Sequence, residues 1–350
     1  MFDGPLSKIN FPGISSRAWE HPADRAALVA LKQIPALDVL LQNILSLLGE
    51  RSWRLLYLSS SVRTSGKQFP RLHYHLKQAC EILDSHYVPE LYITENPYIN
   101  AGAIGVDKPF IVLNSAAVQK LEADENLAII GHELGHCLSG HALYHTLLII
   151  LTLFSRYLLD TLNIPLAGLA IEALIYAIME WYRQSELSAD RAGLLTVQDP
   201  NVSYRLLMKM AGGTMIEQMD INEFFNQARE FEKSGDLVDV LHKVFLEKDK
   251  THPFPVVRLT KLKAWVDSGD YQKILDGDYQ KKENDNQEDP LKNFQEAQKQ
   301  AREEAKARES DFQQAVNKTA QDIGKGINQA SEEIGRFFSG LFKNQDDDKK

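Results

Sequence analysis

Five residues, His132-Glu133-Leu134-Gly135-His136, carry the densest chemistry in this 350-residue chain. The two histidines stand four apart. On a helix that spacing puts both imidazoles on one face, where together they can hold a Zn²⁺ ion. Glu133 projects beside them and can take a proton from a metal-activated water. The run Asn126-Leu127-Ala128-Ile129-Ile130 just ahead is apolar enough for a buried helix. At this histidine and glutamate content, a chance match to H-E-x-x-H is expected in about two chains in a hundred.

Two histidines do not complete a catalytic zinc site, which takes three protein ligands and a water. Downstream lies Ser185-Glu186-Leu187-Ser188-Ala189-Asp190. Glu186 and Asp190 are also spaced i, i+4, on what reads as a second helix. One carboxylate can be the third ligand. The other can accept a hydrogen bond from a ligating histidine and set its tautomer. His141 competes for the third position. The metzincin pattern, however, places Gly three and His six residues after the second ligand, and Ser139 and Ala142 stand there. His141 therefore reads as a polar residue near the site, and His145 as part of the same helix. Cys137 follows a proposed ligand directly but points elsewhere on a helix, and reads as a buried thiol. A last candidate, His252, sits in Thr251-His252-Pro253-Phe254-Pro255, where two prolines stiffen a loop. A histidine there can donate to the oxyanion of a tetrahedral intermediate. Taken alone it reads as a loop histidine.

Taken together, His132-Glu133-x-x-His136, Glu186-x-x-Ala189-Asp190 and Thr251-His252-Pro253 with Arg258 resemble the HtpX-like zinc metallopeptidases, a group that also holds the CAAX prenyl endoproteases. Upstream, Asn100-Ala101-Gly102-Ala103 resembles the family's edge strand beside the active-site helix. The resemblance spans roughly residues 86 to 268. It implies a gluzincin fold with one Zn²⁺ on His132, His136 and Glu186, and Glu133 as general base. It also implies that His252 and Arg258 assist near the substrate or transition state. The gap from His136 to Glu186 is shorter than in full membrane-embedded members, which argues against a multi-span membrane architecture.

The elements that must position these residues are legible in part. The fold class is α+β, mostly helical, with a small twisted sheet, an active-site helix and a long apolar helical hairpin. Residues 1–85 read as a helical N-terminal region, with a helix start at His21-Pro22-Ala23-Asp24. Residues 86–272 read as the metallopeptidase domain, and 273–350 as a charged linker and tail. Short β-like runs appear at Leu91-Thr94, Ala103-Val106 and Phe110-Leu113, with a hairpin turn near Asp107-Lys108-Pro109. In the fold that the resemblance implies, an edge strand there can take up an extended peptide.

Net charge is −9, which argues against non-specific nucleic-acid binding; the metallopeptidase resemblance implies a polypeptide substrate as partner. Two cysteines, Cys80 and Cys137, imply no disulfide framework and suit a reducing compartment. The N-terminus shows no basic and apolar leader, so a cytoplasmic location is the expectation, with membrane association left open.

Residues 143–182 are mostly apolar and read as two helices turning near Asp160-Asn163. Each leg, His136 to Asp160 and Ile164 to Glu186, would run roughly 33–36 Å at the helical rise. That is enough to span a bilayer of about 30 Å. Arg156, Asp160 and Glu172 interrupt the run, and each such charge opposes insertion by about 2.5–3.5 kcal/mol. A membrane-inserted hairpin and a soluble one, buried or resting on a membrane, both stay open. In the tail, Val316, Ala320, Ile323, Ile327, Ala330, Ile334, Phe337 and Leu341 form a heptad-like seam. It reads either as an amphipathic helix over 312–342, with a helical partner or a membrane surface, or as a disordered tail.

Overall fold

The computed structural model describes residues 8–32, 50–162, 167–233 and 254–287. The helices are α1 (Pro22–Lys32), α2 (Glu50–Ser60), α3 (Pro70–Ile82), α4 (Ser115–Lys120), α5 (Ala123–Leu138), α6 (His141–Leu162), α7 (Ala167–Val197), α8 (Pro200–Gly212), α9 (Ile221–Lys233), α10 (Pro255–Asp267) and α11 (Asp270–Leu275). The strands are β1 (Val62–Arg63), β2 (Leu91–Thr94), β3 (Ala101–Ile104) and β4 (Phe110–Asn114), in the order β1-β2-β4-β3. The expected α+β class with a small sheet is what forms. The central pair β2–β4 is parallel, and both flanking pairs are antiparallel.

Both faces of the sheet are buried, and strand alternation decides which residue goes where. Leu91, Ile93, Ala103, Ile111 and Leu113 join the main core with α3, α5, α7, α8 and α10. Tyr92, Ile104, Phe110 and Val112 point the other way, against Trp53 and Tyr57 of α2 and Ile149 of α6. The β3–β4 hairpin forms where the turn residues predict it. Strand β3, however, begins at Ala101 and ends at Ile104, two residues earlier than the apolar run suggests. Gly105 adopts a positive φ of 132° and turns the chain, so Val106 cannot continue the strand.

Segments ahead of the sheet belong to the same core: Phe11, Ile14 and Trp19 pack with α3 and α5. Part of the region read as linker and tail, from Lys281 to Asp285, docks on this segment. Ile14 bridges Lys281, and the Ser15 hydroxyl donates to Asp285 at 2.7 Å. Polar pairing, rather than apolar burial, holds it there, which composition could not signal.

The hairpin differs from expectation at its start. Helix α5 ends at Leu138 with Ser139 as its C-cap, and Gly140 takes a left-handed φ of 74°. The chain then bends by 89° into α6, so the outward leg starts at His141 and not at His136. The return leg, α7, is a single helix of 31 residues that carries Glu186 and Asp190. The hairpin's inner half is protein core: Tyr144, Leu147, Leu148, Leu151, Ile178, Trp181 and Tyr182 pack with Leu31 of α1. Among the described residues, no single helix is long and apolar enough to cross a membrane. The 312–342 seam and His252 lie outside the described residues.

Candidate metal centre

Helix α5 is set by local signals. Its first turn carries Asp124 and Glu125, which suit the positive end of the helix dipole. Glu122 caps it, and the Glu125 carboxylate reaches back to accept from the Glu122 amide at 2.8 Å. Lys209 of α8 donates to that same buried Glu125 at 2.7 Å, tying the helix start to the core.

Glycines let α5 and α7 approach closely. A Cβ on Gly135 would lie 2.6 Å from the Ala192 Cβ, and one on Gly131 would lie 2.3 Å from the Thr196 hydroxyl. From the other side, a Cβ on Gly193 would meet the Ala128 carbonyl at 2.9 Å. Only hydrogens fit this seam, and it brings the α7 carboxylates against the α5 histidines.

The result is a compact donor set. One atom each from His132, His136 and Glu186 lie within 4.8 Å of one another, and all three residues are buried. The His132 and His136 Nε2 atoms are 3.2 Å apart. The Glu186 carboxylate stands 3.5 Å from His132 Nε2 and 3.2 Å from His136 Nε2. A tetrahedral zinc with ordinary bond lengths sets its ligands about 3.3–3.4 Å apart, so the separations fit that ion. Glu133 Oε1 is 3.9 Å from His132 Nε2.

Charge points the same way. Immediately around the donors, Glu133, Glu186 and Asp190 bring three buried carboxylates against the single guanidinium of Arg258. A divalent cation held there would offset that excess. Burial disfavours a charge on His132, yet hydrogen bonding with Asp190 and Glu186 outweighs it and pushes its pKa up to about 10. Burial has the opposite outcome at His136, where it outweighs hydrogen bonding with Glu186 and pulls the pKa down to about 3.

Each histidine is braced on its far side. His132 Nδ1 is 3.1 Å from Asp190 Oδ1. A carboxylate only accepts, so the proton lies on His132 Nδ1. Arg258 Nε donates to Asp190 Oδ2 at 2.8 Å, Nη2 donates to Oδ1 at 2.5 Å, and Nη1 is 3.2 Å from Glu186 Oε2. Arg258, expected to assist near the substrate or transition state, stands behind the carboxylates and is 4 % exposed. His136 Nδ1 is 3.0 Å from His141 Nδ1, and His141 Nε2 is 3.1 Å from Asp24 Oδ2. Burial would raise the Asp24 carboxyl, but His141 and the Ser188 hydroxyl outweigh it and hold its pKa below the ordinary value.

Tyr182, which the sequence reading did not single out, stacks on His136 with ring centres 5.6 Å apart and on His145 at 4.4 Å. It lies one turn before Glu186, and that spacing was its only available signal. Burial, then the charges of Glu186 and Glu133, push its phenol well above the ordinary value. His145 Nδ1 donates to the Ala103 carbonyl at 3.0 Å, linking this stack to β3. Asn100 and Ala101 lie at the start of β3, and the Asn100 carbonyl accepts from the Asn114 amide at 3.0 Å. Cys137 is buried, which raises its thiol pKa, and it stands apart from the donor set.

Residues 66–266 match the model of peptidase family M48. This chain belongs to that family. Over 271 residues it is 32 % identical to the plastoglobule-localized metallopeptidase 48, chloroplastic, of Arabidopsis thaliana, covering 76 % of this chain and 77 % of that protein. A protease HtpX homolog of Helicobacter pylori is 36 % identical over 101 residues, which is 28 % of this chain and 32 % of that protein. No solved structure matches. Membership of M48 makes the chain a metallopeptidase acting on polypeptides, and the HtpX-like resemblance holds. The His132, His136 and Glu186 group is the one the M48 chain offers for a metal among the described residues.

Proposed function

We propose that this M48 peptidase is a zinc endopeptidase with His132, His136 and Glu186 as ligands and Glu133 as general base. The observation that supports it is the convergence of the three buried donors at zinc-like separations beside Glu133. Zinc bound there supplies Lewis acidity, making water nucleophilic at neutral pH and polarising the scissile carbonyl. Glu133 removes a proton from the attacking water and delivers it to the leaving amine. Asp190 and Arg258 keep the His132 lone pair on Nε2 and neutralise the buried carboxylates. His252, two residues before Phe254, donates to the oxyanion. The substrate lies extended along β3, whose Ala101 and Gly102 are partly exposed, and adds to the sheet edge as a further strand. Unfolded polypeptides suit this mode because their backbone is free to pair, which fits a quality-control role at a membrane surface in a reducing compartment.

Hydrolysis of casein by the zinc-loaded wild type and by Glu133→Gln tests this. The variant should keep zinc and lose turnover by on the order of 10²–10⁴-fold. Equal cleavage by both would remove Glu133 from its role.

A second reading is a latent site, with the protein acting as a binding module. It is favoured by one observation: Glu133 is only 4 % exposed and Glu186 is fully covered. One zinc per chain without cleavage by either form would support it.

A further inference from the structure

His136 is braced by a part of the chain that the M48 match does not include. Asp24 lies on α1, well ahead of residue 66 where the match begins. Its Oδ2 accepts from the Ser188 hydroxyl at 2.6 Å, and the Ser188 oxygen accepts from the His21 amide at 2.8 Å. Asp24, His141 and Ser188 are all buried. His141 also sets its ring edge-on to Trp181, with centres 5.5 Å apart and planes at 81°. Both of its nitrogens are therefore committed in direction: Nε2 to Asp24 at 3.1 Å and Nδ1 to His136 at 3.0 Å.

The protons follow from what each atom can do. A carboxylate accepts only, so a proton sits on His141 Nε2. In the neutral ring, His141 Nδ1 is then a lone pair, and the group facing it is His136 Nδ1. A hydrogen bond at 3.0 Å needs a proton between two such nitrogens, and His136 must supply it. With its proton on Nδ1, His136 turns the Nε2 lone pair toward Glu186 and His132. That is the tautomer a metal ligand requires.

We propose that Asp24 and His141 form a positioning relay that fixes the tautomer and ring orientation of His136. The inference rests on the reading of His136 as a metal ligand. In this relay Asp24 orients His141, His141 orients His136, and neither touches the substrate. The residues ahead of the M48 core thereby become part of its metal site, through a pair that local sequence does not mark.

A merely structural bond between α1 and α6 would also stabilise the fold, so melting temperature alone does not decide. The test is zinc affinity of the full-length folded protein, with zinc alone as ligand, by competition against a chromophoric chelator. Wild type and His136→Ala are the references. His141→Phe keeps a ring beside Trp181 and removes the acceptor; it should weaken zinc binding on the order of 10–100-fold. His141→Asn places an amide oxygen where Nδ1 stood, facing His136 Nδ1, and should recover most of that loss. Asp24→Asn should weaken zinc in the same direction by a smaller factor. Zinc held by folded His141→Phe as tightly as by wild type would overturn the relay. If that variant does not fold, unchanged affinity in Asp24→Asn would do so. Wild type that binds no zinc, or His136→Ala that binds as well as wild type, would instead overturn the metal site itself, and the relay with it.

Discussion

The two histidines of the centre are braced by unlike arms. Behind His132, Asp190 touches the ring directly and is itself clamped by a bidentate guanidinium. Behind His136, a second imidazole intervenes before the carboxylate, and that carboxylate is held by a hydroxyl. The first arm is charged, short and built from α7 and α10. The second has one formal charge, is longer, and reaches back to α1. A buried guanidinium among carboxylates cannot be removed without stranding charge, whereas a hydroxyl or imidazole can be lost with smaller electrostatic consequence. The difference teaches that one metal site can couple strongly to the fold through one ligand and mildly through another.

Removing the clamp should have the largest effect. Arg258→Met leaves Asp190 and Glu186 buried without their cation, so unfolding free energy should drop by about 3–5 kcal/mol. Denaturant melts would show it, and a drop below about 1 kcal/mol would break the asymmetry between the arms.

The carboxylates can then be compared directly. Asp190→Asn should lower zinc affinity on the order of 10–100-fold. The loss in Asp24→Asn should be the smaller one, since Asp24 acts through His141. Chelator competition on both variants sharpens the comparison, and a larger loss at Asp24 would reverse it.

Gly135→Ala addresses what the arms share. Its new Cβ would meet Ala192 at 2.6 Å, so α5 and α7 must move apart. Stability should fall by about 1–3 kcal/mol, with zinc affinity falling too, because both arms shift together. A variant with wild-type melting and wild-type zinc affinity would show that the seam does not set the ligand spacing.

The smallest effect belongs to Ser188→Ala. It removes the hydrogen bond to Asp24 and the one from the His21 amide, and should lower stability by about 0.5–1.5 kcal/mol for each. Thermal melts check this, and a loss as large as that of Arg258→Met would mean that the two arms are equally braced.

Much of the centre was legible before any coordinates, and for one reason. His132, Glu133 and His136 stand on one helix, as do Glu186 and Asp190, and helical periodicity turns their spacing into a shared face. The β3–β4 hairpin was legible because its turn chemistry is local. Less legible was the break after α5: Gly140 takes a left-handed φ that the surrounding apolar run did not announce. Strand β3 was misplaced by two residues, because pairing with β4, rather than the apolar content of its own residues, chose its ends. Tyr182 carried no signal beyond its distance from Glu186.

By itself, the sequence determined which residue types face one way on each helix, and so the candidate donor set and the glutamate beside it. Tertiary structure decided that the two faces meet, because the α5–α7 approach depends on hydrogens, not side chains, filling a seam between distant segments. It also decided that Asp24 stands behind His141 and Arg258 behind Asp190. Such pairings between segments far apart in the chain arise only when the core closes around them, since no local periodicity records what a buried polar group will face.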